Sequence, residues 1–312
     1  MILHRADQLA TIRALRAAAP YIRLYKGKTF VIKAGGAVFG DEQLTRALIE
    51  QIAILHYLGV RVVLVHGGGP QLTELTEALG VPTRMVQGRR VTDARSIDAT
   101  SMVLNGLINT RILAICRDLN IDAVGLSGVD AGLVQAHKRP PVKLNPTDTE
   151  TVDFGFVGDI DSIDTSVIRK SLEQGLMPVV SPMSADPRGQ LLNINADTVA
   201  AALGAALQAE KLILCTGAPG ILENVADPSS VISCTDLAGL VRMRNAGQIV
   251  DGMLPKAKAI EEAIKGGVHR VHVISYQSPD SILAEVFTNE GLGTLIVADI
   301  QALTTAEQQV SK

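Results

Sequence analysis

Val62-Val63-Leu64-Val65-His66-Gly67-Gly68-Gly69-Pro70 is an apolar run that breaks into three glycines before a helical pattern begins. A turn without Cβ atoms lets the backbone approach an anion closely, and the free amides of the following helix N-terminus point toward it. A second run, Val31-Ile32-Lys33-Ala34-Gly35-Gly36, ends in the same way and adds a lysine at its end. Either could be a tight strand-to-helix turn with no ligand. Two such turns together with Lys33 point instead to paired phosphate-binding loops. Neither contains G-x-x-x-x-G-K-[ST] or G-x-G-x-x-G, which argues against a P-loop NTPase and a Rossmann dehydrogenase.

Two further segments offer charged chemistry. Asn193-Ile194-Asn195-Ala196-Asp197 delivers three polar side chains just before a small-residue helical run, Val199 to Ala206. Taken in isolation, Asp197 reads first as a helix N-cap, and the two asparagines beside it argue for more. In Asp251-Gly252-Met253-Leu254-Pro255-Lys256, Pro255 suits a first helical turn, so Lys256 lies near a helix start, where a cation opposes the dipole unless it meets an anion. Taken alone, Lys256 would be solvated surface.

The elements that must position these residues are short apolar runs alternating with helical patterns. The runs are 29–33, 60–65, 121–126, 177–181, 211–215, 268–274 and 294–297. They are continuously apolar rather than alternating, as in parallel strands covered on both faces. Between the first two, Leu44, Leu48, Ile52, Leu55 and Leu58 recur every three or four residues and Gly59 follows as a stop. This β-α-β repetition predicts an α/β fold, a three-layer αβα sandwich with an open, mostly parallel central sheet and ligands at the carboxyl ends of its strands. Residues 135–164 are irregular and predict a hairpin excursion. Residues 1–22 place Leu9, Ile12, Leu15 and Ala19 on one face of an amphipathic helix that needs a partner surface.

A net charge of −3 and scattered Lys and Arg give no nucleic-acid footprint. The first twenty residues mix charges with apolar side chains, so they form neither a signal peptide nor a membrane span, and the cytoplasm is the default compartment. Cys116, Cys215 and Cys234 show no paired spacing and read as reduced structural residues, with no metal site implied.

Taken together, KAGG at 33–36, VHGGGPQ at 65–71, GRRVTD at 88–93, GLSGVDAG at 125–132, DFGFVGDI at 153–160, NINAD at 193–197, GMLPK at 252–256 and EGLGTLI at 290–296 resemble the amino acid kinase family. The order and number of these motifs make the resemblance far more specific than any single one. It implies a substrate lobe at 23–190 and a nucleotide lobe at 191–312. It also implies ATP and Mg2+ as cofactors, and transfer of phosphate to the γ-carboxylate of N-acetyl-L-glutamate, a step of arginine biosynthesis. Lys33, Asp197 and Lys256 would be catalytic, with Gly35, Gly36, Gly67, Gly68 and Gly69 on the phosphates. Gly68, Gly69, Arg90, Asn193 and Asn195 would hold the substrate; Thr216, Gly217, Gly220, Gly252 and Lys256 would hold the nucleotide.

Gly217 stands where the family usually has an aspartate lining the nucleotide site, and Ser275-Tyr276-Gln277-Ser278 departs from its usual Asp-Gly turn. The opening of the chain also resembles the kinase-fold domain of N-acetylglutamate synthases. Arginine-inhibited members of the family have an extra N-terminal helix that links dimers into a ring, and a C-terminal segment similar to 285–294. This resemblance implies a homo-oligomer and an arginine site at Tyr21, Lys211, His272 and Glu285, although His272 reads equally as a core residue. Two other readings stay open, an amino-acid sensor without catalysis and a kinase for an aminoadipate-type acid.

Overall fold

The computed structural model describes residues 5–86, 89–144, 149–249, 252–288 and 291–302. Gly88, Asp251 and Glu290, each part of a sequence motif above, lie outside the described residues. Eight strands form the main sheet: β1 (Thr29–Ala34), β2 (Arg61–His66), β3 (Ala123–Ser127), β4 (Met177–Ser181), β5 (Lys211–Thr216), β6 (Cys234–Asp236), β7 (Arg270–Ser275) and β8 (Thr294–Val297). Their order is β6-β8-β7-β5-β1-β2-β4-β3. Every pair is parallel except β7 with β8. The seven apolar runs read from sequence are seven of these strands. The eighth, β6, is three residues long, too short for an apolar run to mark it.

Alternation along β1 sends Phe30, Ile32 and Ala34 to one face and Val31 to the other, all fully buried. The first face is covered by α1 (Arg5–Tyr25), α2 (Glu42–Tyr57), α3 (Gly69–Ala78), α4 (Ala94–Ser101) and α5 (Thr110–Asp118). The second is covered by α6 (Ser166–Glu173), α7 (Ala196–Leu207), α8 (Leu237–Asn245) and α9 (Met253–Lys265), and α10 (Ser281–Phe287) returns to the first. Each fully buried large side chain in these layers contributes about 1.5–3 kcal/mol relative to exposure. The α2 helix starts at Asp41, whose carboxylate accepts from the Leu44 amide at 2.9 Å, and is followed by Gly59 at φ +87°. That left-handed backbone is why glycine suits the stop.

Between α4 and α5 the helix continues as a π-helical stretch, Met102–Asn109. The whole span 94–118 is long and apolar enough to cross a membrane by length and composition. Its apolar residues Ile97, Val103, Leu104, Ile108 and Ile112 are instead buried in the core. The irregular segment is a hairpin as expected: residues 134–138 pair antiparallel with 158–163. Its surface carries the ion pairs Arg139–Asp159 and Lys138–Asp153, and a contact of His137 Nδ1 with Asp161 Oδ1 at 2.7 Å. A smaller hairpin, 84–86 with 89–91, carries Arg90. On α1, Leu9, Ile12 and Leu15 are half or more exposed, so the face read as needing a partner is left open among the described residues.

Candidate active site

Lys33 shares the face of β1 that carries Val31, so its side chain emerges under α7 and α9, which pack against each other. Asn195 starts α7: its side-chain oxygen accepts from the Asp197 and Thr198 amides at 2.8 and 3.2 Å. The N-cap is therefore Asn195, and Asp197, two residues in, is free to leave the helix end. Its carboxylate meets Lys33 Nζ at 2.8 Å through Oδ1 and Lys256 Nζ at 3.0 Å through Oδ2. Lys256 lies in the first turns of α9, after Pro255.

All three residues are less than a tenth exposed. Burial opposes ionisation of Asp197, but the charges of Lys33 and Lys256 overcome it and hold its pKa at about 2. Burial, followed by repulsion from Lys33, pushes the Lys256 pKa down. Two cations against one anion leave a buried net positive charge. Oδ1 of Asp197 contacts Lys33 off the hydrogen-bond line and has no hydrogen-bond partner among the described residues.

The glycine turns lie next to this triad at the ends of β1 and β2. A Cβ on Gly36 would stand 2.8 Å from the Gly68 Cα, so the turns are packed backbone to backbone. Gln71 Nε2 donates to the Gly36 carbonyl at 2.7 Å and staples them. One correction follows for Gly67, read from sequence as an anion donor: its amide already donates to the Ala34 carbonyl at 2.9 Å. It closes the two turns together and is not available to a ligand. A Cβ on Gly35 would meet only the Lys33 ammonium, at 4.0 Å, and one on Gly69 would meet nothing within 4 Å. That open space beside a buried ammonium and the Asp197 carboxylate fits a bound polyphosphate and its cation.

Arg90 crosses to the start of α3, where its guanidinium donates to Thr83 Oγ1, Thr73 Oγ1 and the Gly69 carbonyl. Asn193 donates to Thr92 Oγ1 at 3.3 Å. Thr216 ends β5 and its hydroxyl donates to the Ala218 carbonyl. Gly217 faces Tyr276, whose hydroxyl would be 3.5 Å from a Cβ there, so the two departures from the family pattern are neighbours. Gly220 packs against Thr294 and Val231, a steric reason for glycine, and Gly252 precedes α9 with open space at its Cβ position. Two hollows, about 380 Å³ beside Asn105 and Asp130 and about 290 Å³ between α2 and the segment after β7, exclude the lysines. The triad is the better guide to chemistry, because it concentrates buried charge.

On the opposite face, Lys211 Nζ lies 3.0 Å from His272 Nε2, and His272 Nδ1 lies 2.7 Å from Glu285 Oε1. Lys211 can only donate, so the imidazole is neutral with its proton on Nδ1; burial and the Lys211 charge push its pKa down. The Lys211 ammonium also sits 5.1 Å from the Tyr25 ring centroid. Tyr25, missed from sequence, joins that cluster, while Tyr21 packs on the core at half-burial. Cys116 and Cys215 are buried with their thiol pKa values pushed up to about 12, and Cys234 is partly exposed; none forms a disulfide.

An open α/β sheet here carries paired glycine turns at two strand ends, beside a lysine–aspartate–lysine triad with a buried net positive charge. The chain belongs to the amino acid kinase family, which it matches over residues 28–275. It is 49% identical to an acetylglutamate kinase of Myxococcus xanthus over 92% of this chain and 94% of that one. It is 40% identical to an acetylglutamate kinase of Archaeoglobus fulgidus over 92% and 99%. The N-acetylglutamate synthase of Neisseria gonorrhoeae, solved with coenzyme A and N-acetyl-glutamate, superposes with a TM-score of 0.79 at 26% identity. That likeness covers 92% of this chain and 63% of the synthase.

Proposed function

We propose that the protein transfers the γ-phosphoryl group of ATP to the γ-carboxylate of N-acetyl-L-glutamate, giving ADP and an acyl phosphate. The observation that carries this reading is the buried triad, in which one carboxylate holds two ammonium groups within 3.0 Å beside two glycine turns. The relatives named above support the choice of substrate.

A γ-carboxylate is ionised at neutral pH, so its oxygen attacks phosphorus without a general base. What the reaction requires is neutralisation and alignment of two anions. Lys33 and Lys256 face the phosphoryl group in flight, and Asp197 holds both so that no reorganisation is needed at the moment of transfer. The amides of Gly35, Gly36, Gly68 and Gly69 take phosphate oxygens. Arg90, already oriented by Thr73 and Thr83, binds the α-carboxylate with its planar fork, and Asn193 the acetylated amine. Mg2+, when bound with ATP, would supply further positive charge against the phosphates.

In this reading residues 23–190 form the substrate lobe and 191–312 the nucleotide lobe, with Thr216, Gly217, Gly220 and Gly252 along the nucleotide. The Lys211–His272–Glu285 cluster, with Tyr21 and Tyr25 from α1, is the proposed arginine site. The exposed face of α1 is the proposed contact of a cytoplasmic homo-oligomer. The test is ADP release that depends on N-acetyl-L-glutamate, with the acyl phosphate trapped by hydroxylamine and weighed by mass spectrometry. ADP release without a glutamyl hydroxamate would refute the acceptor.

A further inference from the structure

His66 is fully buried at the end of β2, immediately before the glycine turn, and the reaction just described gives it nothing to do. Its Nδ1 lies 3.2 Å from the Gly67 carbonyl oxygen. Its Nε2 lies 3.2 Å from Nδ2 of Asn109, which also donates to the Val179 carbonyl at 3.0 Å. An amide nitrogen can only donate, so Nε2 must accept and the imidazole proton must sit on Nδ1. From there it donates to the Gly67 carbonyl. Burial pushes the His66 pKa down to about 4, so this neutral tautomer persists at neutral pH.

Asn109 is the last residue of the π-helical stretch, and that wider winding shapes the surface against which the turn packs. Leu104 and Ile108 of the same stretch lie where a Cβ on Gly68 would come, 2.6 Å away. A Cβ on Gly125 would collide with Asn109 Oδ1, so glycine at 125 leaves room for this asparagine. In a trans peptide the carbonyl of one residue and the N–H of the next point in opposite directions. Holding the Gly67 carbonyl therefore fixes the direction of the Gly68 N–H, an amide at the start of α3 that has no backbone acceptor among the described residues.

We propose that Asn109 and His66 act as positioning residues: the asparagine on the π-helical stretch sets the imidazole tautomer, and the imidazole orients the Gly68 amide toward the bound anion. This deepens the kinase reading and rests on it, since it takes the turn to be an anion donor. In asparagine the amide nitrogen is as many bonds from Cβ as Nδ1 is in histidine, whereas in glutamine it is one bond further. His66→Asn can thus keep the donor to Gly67, and His66→Gln cannot.

The test uses the full chain, with hydroxamate kinetics, thermal melting and 15N NMR of the histidines. His66→Asn is expected to retain kcat/KM within about fivefold. His66→Gln is expected to lose at least fiftyfold, with a comparable shift in melting temperature. In the unmodified protein the His66 nitrogens should show Nδ1 protonated and Nε2 bare, and Asn109→Leu should scramble that assignment. Equal kinetics for the Asn and Gln variants, or a proton on Nε2, would overturn the proposal. If the unmodified protein forms no hydroxamate, the kinase reading fails, and the NMR assignment alone decides the tautomer lock.

Discussion

Replacing Asp197 with asparagine keeps the shape of the triad and removes its only negative charge. At 2.8 and 3.0 Å, and with an effective dielectric constant of about 20, each lysine contact carries roughly 6 kcal/mol of gross attraction. Relief of the desolvation of Asp197 offsets part of this, and breaking a buried pair typically costs about 3–5 kcal/mol net. For a chain of this length that is a fall in Tm of roughly 5–10 °C. The two ammonium groups then repel each other without a mediator. Lys256, whose folded pKa is already below its ordinary value, should release its proton still more readily. A lysine whose folded pKa is depressed binds fewer protons folded than unfolded, so stability rises with pH. The variant should therefore regain stability as pH climbs from 7 toward 10, and more steeply than the parent. Differential scanning fluorimetry across that range reads both effects, and added pyrophosphate should restore part of the lost Tm. A variant melting within 1 °C of the parent at pH 7 with an unchanged pH slope would refute the electrostatic account of the triad.

Other consequences are equally direct. Gly36→Ala places a Cβ 2.8 Å from the Gly68 Cα, and it should lower kcat/KM at least tenfold by parting the two turns; unchanged kinetics would mean the turns need not touch. His66 and His272 are both held near pKa 4, so between pH 6.5 and 4 the unfolded chain binds protons the folded chain refuses, and stability falls as pH falls. Each contributes a slope of about 1.4 kcal/mol per pH unit, and His272→Gln should remove one such slope from urea midpoints measured over that range. If the Lys211 cluster binds arginine, Glu285→Gln should abolish inhibition by millimolar arginine while leaving the uninhibited rate within about threefold. Ile12→Asp with Leu15→Asp, on the exposed face of α1, should reduce the assembly size in sedimentation without loss of hydroxamate formation.

Much of this was readable from residues in order. Parallel strands buried on both faces announce themselves as unbroken apolar runs, and a lysine closing such a run is conspicuous, so β1, β2 and Lys33 were legible. The glycines were legible too, but their division of labour was not. That Gly67 gives its amide to Ala34 while Gly69 keeps open space depends on how two distant turns meet. Asn195 and Asp197 both favour a helix start, and only the position of Lys33 and Lys256 decides which caps and which leaves. The Asn109–His66 contact was out of reach because a π-helical stretch has the same apolar pattern as the α-helix around it. Tyr25 escaped because its partner, Lys211, comes from a strand far along the chain. Short β6 and the antiparallel β8 show the same limit, since pairing direction is set by connections rather than composition.

In the proposed reaction, two lysines tethered by one aspartate make the transfer possible. Hydroxamate formation from ATP, Mg2+ and N-acetyl-L-glutamate should be compared for the parent protein, Lys33→Met and Lys256→Met, with circular dichroism to verify the fold of each. The account predicts a robust signal from the parent and a fall of at least a hundredfold in each variant with the fold intact; full activity in either folded variant would contradict it.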